Sequence, residues 1–185
     1  MKEKVGVFCG SSLGENSAYE KAAKKLGRLI AENNIELVYG GGKVGLMGAL
    51  ADSVLQNGGK VTGVIPCFMK DLDLNHHNLS ELIVSEGMHQ RKQKMYELAD
   101  YFFVLPGGIG TVDEFSEVFT WLQLALHKKP CVLANIEGYF DDLICFLQKA
   151  NEEKFLHGQH LDLLIIEEDI ETAFNRVRLA FKETK

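Results

Sequence analysis

Short runs rich in β-branched and aromatic residues alternate with longer stretches of helical periodicity along the whole chain, and this alternation constrains the fold more than any other feature. Parallel neighbours in a sheet need crossover connections of about a helix in length, so a repeated strand–helix order points to βα units. The strand candidates are Val5–Cys9, Glu36–Tyr39, Lys60–Ile65, Leu82–Ser85, Tyr101–Leu105, Cys131–Asn135 and Leu163–Ile166. Helices are expected at about Ser17–Asn33, Gly45–Asn57, Met88–Ala99, Thr111–His127, Tyr139–Glu153 and Asp169–Lys182. The expected fold class is therefore α/β: a doubly wound, mostly parallel sheet of about seven strands with helices on both faces. Ligands of such sheets bind outside the carboxyl ends of the strands, so the loops that follow strands carry the information.

No repeat, low-complexity tract or linker interrupts the pattern, and 185 residues suffice for a core without disulfides or metal, so one domain, 1–185, is expected. Pro66–Ser80 reads as the one long irregular stretch. In the fourth helix Phe115, Val118, Phe119, Leu122 and Leu126 form an apolar stripe, while Trp121 and Leu124 point elsewhere. A helix apolar on two sides argues for a homodimer.

The net charge is −6, from 20 Lys+Arg against 26 Asp+Glu, with no basic stripe, which speaks against nucleic acid and anionic membranes as partners. No apolar run approaches the roughly 20 residues of a bilayer span, and a strand begins too early to leave room for a signal peptide. Cys9, Cys67, Cys131 and Cys145 are widely spaced and read mostly as reduced core thiols, so a cytoplasmic location is expected.

Three strands end in glycine-rich turns: Cys9-Gly10-Ser11-Ser12, then Tyr39-Gly40-Gly41-Gly42-Lys43-Val44-Gly45-Leu46-Met47-Gly48, then Pro106-Gly107-Gly108-Ile109-Gly110-Thr111. Each turn alone could be a tight corner. Together at one sheet edge, with helix amides and dipoles behind them, they describe a cradle for a phosphate. The dinucleotide fingerprint is incomplete, since no acidic residue closes the second strand, and a Walker-type G-K-[ST] is absent.

On a helical wheel Met88, Arg91, Met95, Leu98 and Ala99 share one face, with Lys92 at its border. An arginine on a buried stripe requires an anionic partner or a polar cleft. Arg91 is thus either half of a structural ion pair or a group facing the ligand. Glu114 also has two readings. Thr111-Val112-Asp113-Glu114 fits a capping box, with Thr111 as N-cap and Glu114 at N3. Equally, a carboxylate in the first turn of a helix facing the cleft can stabilise an oxocarbenium-like centre or activate water. The histidines His76, His77, His89, His127, His157 and His160 complete no metal-ligand set, and no G-x-S-x-G elbow is present. Neither metal nor organic cofactor is expected.

The segments Tyr39-Gly-Gly-Gly-x-x-Gly-Leu-Met-Gly48, Met88-His-Gln-Arg-Lys92 and Pro106-Gly-Gly-x-Gly-Thr-x-x-Glu114 resemble the signature of the LOG ("Lonely guy") proteins, cytokinin riboside 5′-monophosphate phosphoribohydrolases. The resemblance runs over nearly the whole chain. Many such sequences carry an older label of possible lysine decarboxylase, for which no Schiff-base lysine motif is present here. The resemblance implies a Rossmann-like homodimer that cleaves AMP or N6-prenylated AMP to free base and ribose 5-phosphate. It makes Arg91 and Glu114 the catalytic pair, has Gly108, Ile109, Gly110 and Thr111 wrap the 5′-phosphate, and lets Ser11, Lys92 and Thr120 help hold phosphate and sugar. Gly42, Gly45, Met88 and Gly107 belong to the same motifs and are expected at the substrate. Members often have Tyr-Gly-Thr-Leu-Glu-Glu where this chain has Ile109-Gly-Thr-Val-Asp-Glu114. A binding or carrier module on the same fold would use the glycine turns and would not require Arg91 and Glu114.

Overall fold

In the computed structural model, which describes residues 2–72 and 74–184, the apolar runs pair into one sheet. Its strands are β1 (Lys4–Phe8), β2 (Glu36–Tyr39), β3 (Lys60–Pro66), β4 (Glu81–Ser85), β5 (Tyr101–Val104), β6 (Cys131–Ala134) and β7 (Leu164–Glu167). Their order is β4-β3-β2-β1-β5-β6-β7, and all six pairings are parallel. The sheet is thus fully, not mostly, parallel. The chain winds outward from β1 to β4 and then returns to place β5 on the other side of β1, which makes the gap between β1 and β5 the switch point.

Strand periodicity sorts the core into two layers. Val5, Val7, Leu37, Tyr39, Tyr101 and Phe103 point to one face, against α1 (Ser17–Glu32), α2 (Gly45–Gln56) and α8 (Ile170–Glu183). Phe8, Val38, Val64, Phe102, Val104 and Leu133 point to the other, against α4 (Met88–Leu98), α5 (Ile109–Gln123) and α6 (Asp141–Glu152). Helices cover both faces because strands buried on both sides expose no polar edge for water.

Several expectations need correction. The stretch 66–80 is not wholly irregular: it contains a short helix, α3 (Cys67–Asp71), and a strap that runs back along the second glycine turn. The strap is tied by Lys43 N to Leu74 O at 3.2 Å and His76 N to Gly41 O at 2.9 Å, with an antiparallel bridge between Gly42 and Asn75. Buried His76 adds a 2.9 Å contact from Nε2 to Asp52 on α2. Asp73, within the same stretch, lies outside the described residues. A further short helix, α7 (Gly158–Leu161), precedes β7. The helix expected to reach His127 stops at Gln123, so Leu126 leaves the stripe and is 66% exposed. Of the cysteines, Cys9 and Cys131 are buried, whereas Cys67 and Cys145 are exposed, and all four are free.

Candidate active site

The three glycine turns meet at the switch point and hold one another by backbone contacts. Gly10 N donates to Pro106 O at 3.0 Å, joining the first and third turns, and Met47 N donates to Gly10 O at 3.3 Å, joining the first and second. Gly45 has φ of +65°, and a Cβ there would lie 2.2 Å from the backbone carbon of Ser11. Gly42 O accepts from the hydroxyl of Tyr39 at 3.1 Å. These glycines serve the protein's own packing.

The start of α5 is different. A Cβ added at Gly108 or at Gly110 would meet no atom within 4 Å, and Ile109 between them is 86% exposed. Gly108 is the N-cap and makes no side-chain cap. The first amides of a helix have no carbonyl behind them and carry the positive end of its dipole. Just before that start, Gly107 and the N-cap Gly108 line a cavity of about 180 Å³ together with Gly10, Ser12, Tyr19 and Tyr139. Tyr139 donates to Gly107 O at 2.7 Å and packs edge-on to Tyr19, so two aromatic rings wall the outer side.

Since α5 begins at Ile109, Thr111 is its third residue and not the N-cap, and it is buried. The capping-box reading of Thr111 and Glu114 therefore fails. Glu114 is instead committed to Arg91: Arg91 Nη1 donates to Glu114 Oε1 at 2.8 Å, with side-chain exposures of 10% and 11%. Arg91 Nε also donates to Val64 O at 3.1 Å, at the end of β3. Its remaining nitrogen lies so close to Gly40 that a Cβ there would be 2.1 Å from Nη2. Gly40 is a glycine because the guanidinium fills the space of a side chain.

Burial raises the carboxyl of Glu114 above its ordinary range; Arg91, by charge and hydrogen bond, pulls the other way without cancelling it. A carboxylate held in this balance can accept a proton from water or face a developing cation. Burial also pushes the neighbouring Cys9 thiol up, with Glu114's charge adding to the effect, so Cys9 stays a neutral thiol.

The other expected site residues divide. Ser11 is exposed on the first turn, and Met88 is exposed at the start of α4. Lys92 is engaged elsewhere: its Nζ bonds Glu117 Oε2 at 2.6 Å and Asp113 Oδ2 at 3.3 Å. Thr120 is exposed nine residues beyond Thr111, about 13 Å along the helix, so within one protomer it lies away from the cradle. Residues not expected at the site are Tyr139, Tyr19 and Glu117, while Gly40, expected as part of a phosphate turn, is instead the slot for Arg91. For Glu117 a signal existed in the sequence, since Asp113 and Glu117 stand four apart and so share a helix face.

A doubly wound parallel sheet with a bare helix start at its switch point, and a buried carboxylate–guanidinium pair one turn further on, defines a nucleotide-handling α/β protein equipped for proton chemistry. The model of a family described as "Possible lysine decarboxylase" matches residues 47–177. A cytokinin riboside 5′-monophosphate phosphoribohydrolase of Rhodococcoides fascians is 46% identical over 175 residues, covering 94% of this chain and 88% of that protein. One from Arabidopsis thaliana is 42% identical over 162 residues, 88% of this chain and 75% of its own length. The chain belongs to this LOG family. Among solved structures, a Moco carrier protein from Chlamydomonas reinhardtii shares the fold, with a TM-score of 0.76, 21% identity and 99% of each chain covered.

Proposed function

We propose that the protein is a phosphoribohydrolase that cleaves the N-glycosidic bond of AMP or an N6-modified AMP, giving the free base and ribose 5-phosphate. The observation that carries this reading is the spacing on α5. Along α5 the backbone rise from Gly110, at the bare helix start, to Glu114 is four residues, about 6 Å, on the scale of the span from phosphate to anomeric carbon in a ribose 5-phosphate. The relatives named as phosphoribohydrolases support it.

The phosphate sits on the free amides at the start of α5, those of Ile109 and Gly110 beside Gly108, since the Thr111 amide is already given to Gly108 O at 3.0 Å. Gly107 and Ser11 shape the rim, and Gly42 and Gly45 contribute by packing the second turn against the first. Glu114 faces C1′, where it stabilises positive charge on the ribosyl ring or takes a proton from the attacking water. Arg91 holds Glu114 in place and in its ionised form. Met88, exposed at the start of α4, is the residue that would border the base. A carrier module on this fold would leave the buried Arg91–Glu114 pair without a task, and burying such a pair costs desolvation that packing alone does not repay.

The active unit is a homodimer formed across the α4–α5 edge, where Leu124 and Leu126 are exposed and Trp121 is half-buried against Tyr96. Light scattering should report about twice the 20.7 kDa chain mass. The location is cytoplasmic, in keeping with free thiols and, among the described residues, no helix long and apolar enough to cross a membrane. Nucleic acid and membranes are not partners.

The test is a panel of nucleosides and their 5′-monophosphates with detection of free base. AMP-type nucleotides should be cleaved and adenosine left nearly intact, because phosphate binding far from the bond is expressed in the chemical step. Equal turnover of adenosine and AMP would refute the phosphate cradle.

A further inference from the structure

Neighbouring residues of α4 reach neighbouring turns of α5: Arg91 pairs with Glu114, and Lys92 pairs with Glu117 three residues on. The Lys92 ammonium lies 2.6 Å from Glu117 and 3.3 Å from Asp113 and its side chain is 13% exposed. Asp113 is 59% exposed and Glu117 26%, so Glu117 is the firmer anchor. Lys92, Glu114 and Glu117 line one narrow crevice together with Phe8, Tyr96 and Val118. The lysine's own bonds thus go to Asp113 and Glu117, while its charge stands beside the carboxylate the reaction requires.

We propose that Glu117 is a positioning residue for the hydrolysis: by anchoring Lys92 it fixes how much of that ammonium's charge reaches Glu114. The inference rests on the reading of Glu114 as an ionised carboxylate in N-glycosidic hydrolysis. Its physical basis is that a charge near a buried group acts through a medium that screens poorly, so moving or neutralising it changes the group's proton affinity. The charged and titratable groups around this array are Arg91 and Lys92 from α4, Asp113 and Glu117 from α5, and Cys9 at the end of β1. On the outer side of Glu117, His89, Tyr96 and Glu97 of α4 line the same groove. Hydrogen bonding to Glu117 raises the proton affinity of Lys92, which keeps it charged throughout the working range.

The sign of the effect separates this role from a mere clamp between helices. Burial raises Glu114's pKa, and Arg91 and Lys92 lower it. Hydrolysis needs the carboxylate, so the rate falls as pH drops through that pKa. Lys92→Met removes a lowering charge and should move the acid limb of kcat upward, by about one pH unit. Glu117→Gln leaves the ammonium less neutralised and should move the limb downward, by about half a unit. A clamp with no electrostatic role would reduce activity or thermal stability in both variants with limbs unmoved or displaced in the same direction.

The experiment is the pH profile of AMP hydrolysis for wild type, Lys92→Met and Glu117→Gln, with thermal melts to establish that each is folded. A carbon-13 NMR titration of the Glu114 carboxyl reads the same shifts without turnover. Opposite displacements support the proposal, and coincident or same-signed ones overturn it. Absence of AMP hydrolysis in the wild type would instead refute the parent reading, while the carboxyl titration would still decide the electrostatic claim.

Discussion

The second and third glycine turns look alike in sequence and differ in what makes them glycine. In the β2–α2 turn the absent side chains are accounted for by protein atoms: the Arg91 guanidinium at Gly40, Met47 at Gly42 and the Ser11 backbone at Gly45. At the start of α5, Gly108 and Gly110 face open space and their conformations lie outside the left-handed region. One turn is glycine-rich because the chain folds tightly upon itself; in the other Gly107 is packed in the same way, against Thr111 and Gly10, while Gly108 and Gly110 leave the backbone open to a group from outside the chain. Substitutions at the two turns should therefore separate stability from binding.

The largest effect is expected in the packed turn. Gly45→Ala forces both a strained positive φ and a collision with the Ser11 backbone, and should cost more than about 3 kcal/mol. Denaturant unfolding measures it; a soluble variant with a midpoint near wild type would erase the contrast between the turns. Next comes Glu114→Gln. The amide oxygen can still accept from Arg91, but the buried guanidinium loses its counter-charge, so the variant should lose about 3 kcal/mol in stability, with a thermal melt to establish that it is folded. Its hydrolysis of AMP should fall by about 10²–10⁴. Near-normal turnover would reduce Glu114 to a structural partner of Arg91.

Gly110→Ala is the sharper probe of the open turn. Alanine suits a helix better than glycine, so the melting temperature should hold or rise, by up to about 1 kcal/mol in stability. The methyl group obstructs an approaching phosphate, so kcat/KM for AMP should fall about ten-fold, a loss of about 1.4 kcal/mol, with residual turnover of adenosine unchanged. A parallel fall for adenosine would show that the site had been distorted and not merely obstructed. The smallest effect belongs to Tyr139→Phe, which removes one hydrogen bond to Gly107 O. Such a bond is worth about 1 kcal/mol, so KM for AMP should rise a few-fold with kcat little changed.

These contrasts also mark what was legible in the sequence. The strands were readable within a residue or so at each end, because runs such as Cys131–Ala134 or Tyr101–Val104 are buried on both faces and admit few other assignments. Arg91 was readable as a buried arginine from its wheel position. Its partner is named by the family resemblance, which couples Arg91 with Glu114, and not by the local pattern, because the Thr111–Glu114 spacing satisfies a capping rule that the tertiary structure overrides. Starting α5 at Ile109 moves Glu114 out of the first turn and leaves it to Arg91, on a helix more than twenty residues away. The strap across the second glycine turn and the bond from Tyr139 to Gly107 depend on contacts between distant segments. No local pattern encodes them. The assignment of Lys92 to the sugar or phosphate came from the motif it shares with Arg91, whereas its bonds follow from the facing helix.

The slot that Gly40 leaves for Arg91 has a consequence in entropy. An arginine side chain free in water samples many rotamers, and fixing it sacrifices about 2 kcal/mol of conformational freedom. Held by Val64 O, Glu114 and the gap at Gly40, the guanidinium gives up that freedom once, when the chain folds. Each arriving nucleotide then meets charges already in their working orientation, with no side chain left to order before the bond breaks.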